Sequence, residues 1–415
     1  MRRVLQNVGW LLGGKGINAA LSLIYLALAT RSLGLEAFGA LVLIVGLGQA
    51  ISAFATFQTW QVVVRWGSPG REDDTVLGFA LALDGISIVV GAVLTIVLFR
   101  AGGTLLPLSP EHSDAGLAYC LVTLLAIRST PIGILRLNDR FAWSAAADSV
   151  TAGVRCVGAG LAGAFAPGVT AFLAAWAAAE LATAAAYWLL AARCRPIAVG
   201  SASLRRLPGQ DRQVWRFVWS TNLSASLTAG SRQAVLLMVG AWGGAALAGL
   251  YRVASQLGQA LLKLAQSLLR AIYPELVRDP VKAPDLALRL AGLAATAGIA
   301  ALAIAGLMGN CIIDLVVGRS FSGALVPMIV LALAASVEFA GASFEALLVA
   351  RGQAGTALLL RAVPTLASLA VLPFALERLQ ATGAALSVLV ASTAATVGFV
   401  VTAQVHACKF RKAVS

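Results

Sequence analysis

The chain has 415 residues, of which 59% are hydrophobic and 12% are charged. Soluble domains are about 45–50% apolar and about 25% charged, so this composition excludes an ordinary water-soluble enzyme. The 31 basic residues outnumber the 18 acidic residues, an excess that membrane proteins carry in their cytoplasmic loops. Because the sequence has no basic arm of the kind that binds nucleic acid, we expect a membrane protein with no nucleic-acid partner.

Twelve apolar stretches of the chain are long enough to cross a bilayer as helices, which takes about 20 residues. We number these predicted spans 1 to 12 in chain order. They lie near residues 8–31, 38–64, 76–99, 115–136, 143–165, 169–192, 214–240, 245–272, 286–309, 322–350, 356–376 and 383–407. The spans predict an all-α, polytopic membrane protein with about 12 transmembrane helices.

The basic residues between the spans are divided unevenly between the two sides of the membrane. If the N-terminus lies in the cytoplasm, the cytoplasmic segments carry 20 lysines and arginines and the outer segments carry 4. Cytoplasmic loops of membrane proteins show this bias. We therefore expect both termini to lie on the cytoplasmic side.

A short motif occurs in both halves of the chain. Leu-Gly-Gln-Ala at residues 47–50 recurs at residues 257–260, an offset of 210 residues. The same offset aligns two pairs of glycines: Gly34 with Gly244, and Gly39 with Gly249. The pattern indicates an internal duplication with six spans in each half, and an even number of spans makes the repeats parallel.

An arginine-rich loop divides the chain close to its midpoint. We predict an N-terminal six-helix lobe at 1–195, a cytoplasmic linker at 196–213 and a C-terminal six-helix lobe at 214–415. Transporters built from such repeats bind their substrates at the interface of the repeats.

Basic residues occur within spans 1, 7 and 8, whereas spans 1, 2, 7 and 8 contain no acidic residue. A charge at mid-bilayer costs about 2.5–3.5 kcal/mol on insertion scales, which makes it a functional candidate. In span 8 the basic and amide side chains recur every three or four residues and share one helical face. Because unpaired donors do not face lipid, we expect these spans to line a water-filled translocation cavity. Its predicted residues are Lys15, Asn18, Gln49, Arg232, Arg252, Gln256, Gln259 and Lys263.

Two other interpretations of these basic residues stay open. Lys15 and Lys263 lie two to three turns from an interface, and long lysine side chains can snorkel to the headgroups instead of lining a cavity. Arg232 and Arg252 could instead pair structurally with a backbone carbonyl or a distant acid.

Acidic residues in spans 3, 5, 6 and 10 form a second candidate set with nearby arginines. In the first half, the acids are expected to pair with Arg128 or Arg155, and in the second half two acids share a face of span 10 near Arg361. Structural pairing within each half is the favoured interpretation, and coupling of transport to a proton or another ion is the alternative. The set comprises Asp84, Asp148, Arg155, Glu180, Glu338, Glu345 and Arg361.

The sequence contains no pattern typical of catalysis or of a bound cofactor. The 5 cysteines and 2 histidines have no metal-binding or redox spacing, and no nucleophile, base and carboxylate set points to a reaction. We therefore predict a protein that is not an enzyme and that binds no metal or cofactor.

The N-terminal region resembles the opening of a known family. Asn7-Val-Gly-Trp10 is followed by Lys15 and Asn18, and then by the pattern Arg-x-Leu-Gly-x-x-x-Phe-Gly at residues 31–39. These residues resemble the bacterial Wzx-type polysaccharide and O-antigen flippases, which belong to the multidrug/oligosaccharidyl-lipid/polysaccharide (MOP) exporter superfamily.

The resemblance implies two six-helix lobes around a central cavity, with spans 1, 2, 7 and 8 at its walls. It also implies that the protein moves an undecaprenyl-diphosphate-linked oligosaccharide from the inner to the outer leaflet of the bacterial cytoplasmic membrane by alternating access. Such transport serves O-antigen, exopolysaccharide or capsule biosynthesis. The implied partners are the lipid-linked oligosaccharide, membrane lipids, a polysaccharide polymerase and a chain-length regulator.

Three alternatives differ from this expectation in testable ways. A cation-coupled multidrug exporter would need acids in the cavity, and a peptidoglycan-precursor flippase usually carries two further spans. A membrane glycan polymerase or ligase typically has a large outer loop, whereas the longest outer loop here has about 14 residues. The sugar and the coupling ion stay open.

Overall fold

The computed structural model describes the backbone of residues 2–67, 74–101, 108, 110–197, 199–278, 283–350 and 353–414. Side chains are described for residues 18–67, 75–100, 108, 110–197, 200–259 and 292–404, apart from 224, 227, 228, 293, 294, 297, 346, 349–352 and 354. All regular elements of this described part are helices, which confirms the predicted all-α class.

Twelve helices follow one another in the described ranges. Their bounds are α1 (Arg2–Ala55), α2 (Thr59–Trp66), α3 (Asp74–Ala101), α4 (Pro110–Leu125), α5 (Ser129–Leu137), α6 (Phe141–Phe165), α7 (Val169–Cys194), α8 (Arg206–Gln210), α9 (Gln213–Arg278), α10 (Ala283–Val316), α11 (Leu325–Ala350) and α12 (Ala354–Val414). Short 3₁₀ turns at Val199–Ser201 and Arg319–Ala324 complete the order.

Three of the long helices contain a residue with non-helical backbone angles. These residues are Gly34 in α1, Gly244 in α9 and Gln380 in α12. Each separates two predicted spans, so that each long helix supplies two crossings. Eight stretches of the described helices are long and apolar enough to cross a membrane, among them Asn18–Trp66 with 49 residues and Gly355–Gln404 with 50. One crossing takes about 20 residues, and the chain is therefore a multi-pass membrane protein.

Gly34 and Gly244, which the internal repeat aligns, have the same backbone conformation. Their φ and ψ angles are 73° and −173° for the first glycine, and 79° and 175° for the second. Glycine adopts a positive φ without the steric penalty that a Cβ atom brings. The two hairpin turns thus share a conformation as well as a sequence position, which supports the duplication.

The chain divides into two compact units, Met1–Leu237 and Met238–Ser415. The first unit contains α1 to α8 and the opening part of α9, and the second contains the rest of the chain. The division into lobes at 1–195 and 214–415 stays a prediction.

The predicted linker at 196–213 lies within the first unit and packs against α3. The N–H of Ser203 donates to the carbonyl of Gly78 across 3.1 Å, and a Cβ atom at Gly78 would lie 2.2 Å from the carbonyl oxygen of Ser201. Leu207 of α8 is buried in a cluster with Phe79 of α3. The linker is therefore a docked segment, because its backbone approaches α3 at a glycine.

Spans 2 and 4, predicted as continuous helices, are each interrupted. Residues 56–58, the α1–α2 break, and residues 126–128, the α4–α5 break, have no helical structure. Side chains satisfy backbone groups there: Ser87 Oγ accepts from the N–H of Phe57, Ser129 Oγ accepts from the N–H of Trp60, and the indole of Trp188 donates to the carbonyl of Ile127. Non-helical backbone at membrane depth requires such internal partners.

Candidate functional site

Six of the eight predicted cavity residues have described side chains. Lys15 and Lys263 lie outside the part of the chain whose side chains are described. Asn18, Gln49 and Arg232 belong to the first unit, whereas the other three belong to the second unit: Arg252, Gln256 and Gln259.

In the first unit, polar contacts join the span 2 part of α1 to the span 7 part of α9. The amide of Gln233 donates to Oε1 of Gln49 across 2.8 Å, and Ser226 Oγ donates to the carbonyl of Ala53 across 2.7 Å. A Cβ atom at Gly46 would lie 2.9 Å from the Leu236 side chain, so the two helices pack closely. We call these residues the amide seam.

Several buried oxygens of the first unit have no hydrogen-bond partner among the described residues. They include Oδ1 of Asn18, Oδ1 of Asn222 and Oε1 of Gln233. All three are acceptors, and a buried acceptor without a donor costs about 1–3 kcal/mol. Water or the hydroxyl groups of a ligand would satisfy them.

Arg232 is exposed although it lies within a predicted membrane span. A guanidinium group on a membrane helix faces water, protein or an anionic partner rather than lipid. In the second unit, Arg252, Gln256 and Gln259 occupy successive turns of α9, and each side chain is partly buried. The amide of Gln259 donates to Ser255 Oγ across 3.1 Å.

A second cluster in the first unit has two arginines on one carboxylate. Nη1 of Arg128 lies 2.9 Å from Oε2 of Glu180, and Nη2 of Arg155 lies 2.6 Å from Oε1 of the same residue. The Arg155 guanidinium also lies 5.5 Å from the centre of the Trp176 ring and 5.8 Å from that of Tyr25. With two cations and one anion, this arginine–glutamate trio has a formal charge of +1.

The other two acids of the first unit accept hydrogen bonds from hydroxyl groups. Tyr187 donates to Oδ1 of Asp148 across 2.8 Å, and Thr59 donates to Oδ1 of Asp84 across 2.9 Å. Neither acid forms an ion pair with Arg128 or Arg155 in the described part of the chain, contrary to the sequence expectation. The physical reason is that both arginines converge on Glu180 and leave the hydroxyls as the nearest donors.

In the second unit one arginine lies between two carboxylates. Nη1 of Arg361 lies 3.1 Å from Oε1 of Glu338, and its Nε donates to Oε1 of Glu345 across 3.1 Å, with Nη2 bonding the other oxygen. The guanidinium also lies 5.9 Å from the centre of the Phe399 ring. These three charged side chains lie together, as the shared face of span 10 led us to expect.

Similarity to known proteins identifies the family of this chain. Residues 4–278 match the model of the polysaccharide biosynthesis protein family. The chain belongs to this family. Inner membrane protein YghQ of Escherichia coli K12 is 31% identical over 290 residues, which cover 67% of this chain and 82% of YghQ.

Solved structures share the fold at lower sequence identity. The inward-facing structure of a multidrug resistance MATE family transporter of the MOP superfamily has a TM-score of 0.71 at 20% identity, and covers 95% of this chain and 96% of its own. The inward closed structure of the lipid II flippase MurJ has a TM-score of 0.63 at 12% identity, and covers 94% of this chain and 86% of its own. This polysaccharide biosynthesis protein therefore has the MOP-exporter fold.

The sequence reasoning missed two features of this family member. Gln233 of the amide seam follows Asn222 and Ser226 at the helical period on one face of span 7, a signal that could have identified it. The contact between Thr59, Asp84 and Thr130 had no such signal, because it joins three helices that are far apart in the sequence.

Proposed function

We propose that the chain is a flippase that moves undecaprenyl-diphosphate-linked oligosaccharide from the cytoplasmic to the outer leaflet of the bacterial inner membrane. The observation that carries the proposal is the exposed Arg232 within a predicted span of a polysaccharide biosynthesis family member. Spans 1, 2, 7 and 8 add basic and amide side chains without any acid. Basic side chains attract an anionic ligand and repel a cationic one.

The chemistry of the proposed substrate matches these groups. Guanidinium groups bind diphosphate oxygens through paired, charge-assisted hydrogen bonds. Buried amide oxygens such as Oδ1 of Asn18 and Oε1 of Gln233 accept hydrogen bonds from sugar hydroxyls. The lipid tail stays in the bilayer, so the cavity binds only the diphosphate and the oligosaccharide. A polymerase and a chain-length regulator would use the flipped product, and are proposed partners.

Alternating access between the two predicted lobes, with both termini in the cytoplasm, completes the proposal. Lys15 and Lys263 are proposed cavity residues with Arg252, Gln256 and Gln259. The ion-paired residues around Glu180 in the first unit and around Arg361 in the second unit have a structural role in this proposal.

A multidrug exporter is the second candidate, because the fold is shared with a multidrug resistance transporter. The two functions differ in the charge of the cargo. Cationic drugs favour carboxylates in the cavity, and the four spans concerned contain none. A drug-resistance profile that changes on deletion, with lipid-linked glycan unchanged, would support this second candidate.

The test is a deletion strain in which lipid-linked oligosaccharide and exported polysaccharide are both quantified. We expect the precursor to accumulate and the polymer to fall, and the wild-type gene to reverse both changes. Arg232→Gln should fail to restore export, whereas Arg232→Lys should restore part of it. Arg319→Gln is the matched control, because this loop arginine is 94% exposed and also loses one charge. Full complementation by Arg232→Gln would remove the arginine from the mechanism.

A further inference from the structure

Buried polar side chains meet between the α1–α2 break and the α4–α5 break. Thr59 is the first residue of α2, Thr130 lies in the first turn of α5, and Asp84 lies on α3. Asp84 is 4% exposed and the two threonines are 0% exposed. Two helix N-termini therefore face one buried carboxyl group in the interior of the first unit.

The hydrogen bonds at this site satisfy one carboxyl oxygen and leave the other without a partner. Thr130 Oγ1 donates to Thr59 Oγ1 across 3.2 Å, and Thr59 Oγ1 donates to Oδ1 of Asp84 across 2.9 Å. Oδ2 of Asp84 is buried and has no hydrogen-bond partner among the described residues. An ionised carboxylate has acceptor sites on both oxygens, so this environment suits a carboxyl group that carries a proton on one of them.

Among the residues whose side chains the structure describes, no salt bridge joins a basic group to Asp84. On the packed helices each basic group contacts another group: Arg128 with Glu180, Arg136 with Trp60, and Arg65 with Trp66 and Phe217. The arginines of the docked linker and of the start of α9 are exposed: Arg205, Arg206, Arg212 and Arg216. Asp211, the acid beside them, accepts from the indole of Trp66. A charged Asp84 would thus be a buried anion without a cation in this part of the unit, and such groups take up a proton instead.

We propose that Asp84 is a proton-binding site and that its proton is the coupling ion of transport. The coupling rests on the proposed flippase function, whereas proton binding does not. When the O–H bond breaks, the proton passes to water and a negative charge stays on Asp84. That charge attracts the N–H groups at the N-termini of α2 and α5. Proton release therefore changes the geometry of the two breaks, where the spans bend most easily.

A proton fits the site better than a metal ion does. The Thr59 hydroxyl donates its hydrogen to the carboxyl group, and the Thr130 hydroxyl donates its hydrogen to Thr59, whereas a metal ion would need both oxygens as ligands. We therefore expect no change of the site on exchange of sodium for potassium.

Infrared spectroscopy of the full chain in lipid vesicles tests proton binding directly. Wild type should show the C=O stretch of a protonated carboxylic acid, and the band should weaken as the pH rises. Asp84→Asn keeps the Oδ1 acceptor and should lack the band. Asp148→Asn should keep it, because that acid is exposed. Identical spectra for wild type and Asp84→Asn, or a band that no pH change alters, would overturn the proposal.

A second variant keeps the test decisive if Asp84→Asn does not fold. Thr59→Val removes the hydroxyl that donates to Oδ1 and should shift the band to higher frequency, because a C=O group that loses a hydrogen bond stiffens. An unshifted band would contradict the assignment to Asp84.

Transport into vesicles with an imposed proton gradient tests the coupling. The gradient should accelerate movement of the lipid-linked oligosaccharide by wild type and should leave the rate of Asp84→Asn unchanged. An equal response of both proteins would refute the coupling. If neither protein moved this substrate, the proposed function would fail, while the infrared spectra would still decide whether Asp84 binds a proton.

Discussion

Replacing Glu180 with alanine removes the carboxylate that two arginines share. Arg128 and Arg155 reach opposite oxygens of this side chain, at 2.9 Å and 2.6 Å. No other carboxylate pairs with either arginine in the described part of the chain. The variant should therefore leave two cations close together, one of them in a mostly buried position.

The burial of the two arginines sets the expected magnitude. The Arg155 side chain is 13% exposed and the Arg128 side chain is 34% exposed. Removing one partner of a buried ion pair costs about 3–5 kcal/mol, and an exposed pair contributes about 0–1 kcal/mol. We expect Glu180→Ala to lower the free energy of unfolding by about 3 kcal/mol. Most of this loss should come from the contact with Arg155.

Unfolding by a denaturing detergent in mixed micelles measures this loss, and double-mutant cycles divide it. The variants Arg155→Met and Arg128→Met keep much of the side-chain volume and remove the charge. We expect a coupling of about 2–3 kcal/mol between Arg155 and Glu180, and of at most about 1 kcal/mol between Arg128 and Glu180. Equal couplings, or a loss below about 1 kcal/mol for Glu180→Ala, would refute the reasoning from burial.

Two further predictions concern the hairpin turn of the second half and the docked linker. Gly244→Ala should lower the free energy of unfolding by about 1–2 kcal/mol, because its φ is +79° and a Cβ atom is strained there. Gly306→Ala, in an open helical position, is the control and should keep or raise the free energy of unfolding in the same detergent, because alanine favours the helix over glycine. The pKa of Asp211 is lowered by the hydrogen bond from the backbone N–H of Gln213 and, to a smaller extent, by that from the indole of Trp66. Ionised Asp211 therefore stabilises the linker at pH values above the ordinary aspartate pKa, and this stabilisation is lost as the pH falls through the lowered pKa. Limited proteolysis of the linker should accordingly speed up in acid for wild type, and the same acid-dependent increase in Asp211→Asn would contradict this assignment.

The turns between paired spans were predictable because the sequence repeats itself at them. Gly34 and Gly244 align at an offset of 210 residues, and both adopt a positive φ. The sequence does not mark Gln380 as a turn, because glutamine does not favour a positive φ such as the 50° that this residue adopts. Hydrophobic length predicted a crossing on each side of it, and the position of the turn came from the structure.

The breaks in spans 2 and 4 were not predictable from hydropathy. Residues 56–58 contain neither glycine nor proline, and the N–H of Phe57 bonds the side chain of Ser87 on another helix. Pro131 in the first turn of α5 is compatible with a helix start. However, Pro364 and Pro373 lie inside α12, so a proline alone does not distinguish the start of a helix from its interior.

Charged clusters were predictable only where sequence spacing brings the residues together. Glu338 and Glu345 lie two turns apart on one helix, and Arg361 reaches both. Asp84 instead meets hydroxyls from two other helices, and this contact depends on how the helices pack. Its partners therefore became known only from the structure.

Movement of the substrate across a membrane tests the central claim most directly. Purified protein in vesicles, with undecaprenyl-diphosphate-linked oligosaccharide in the inner leaflet, should make the glycan accessible to a lectin added outside. Arg232→Gln should slow this movement at least about tenfold, which corresponds to about 1.4 kcal/mol, and Arg319→Gln should not. A wild-type rate equal to that of protein-free vesicles, or an unchanged rate for Arg232→Gln, would contradict the account.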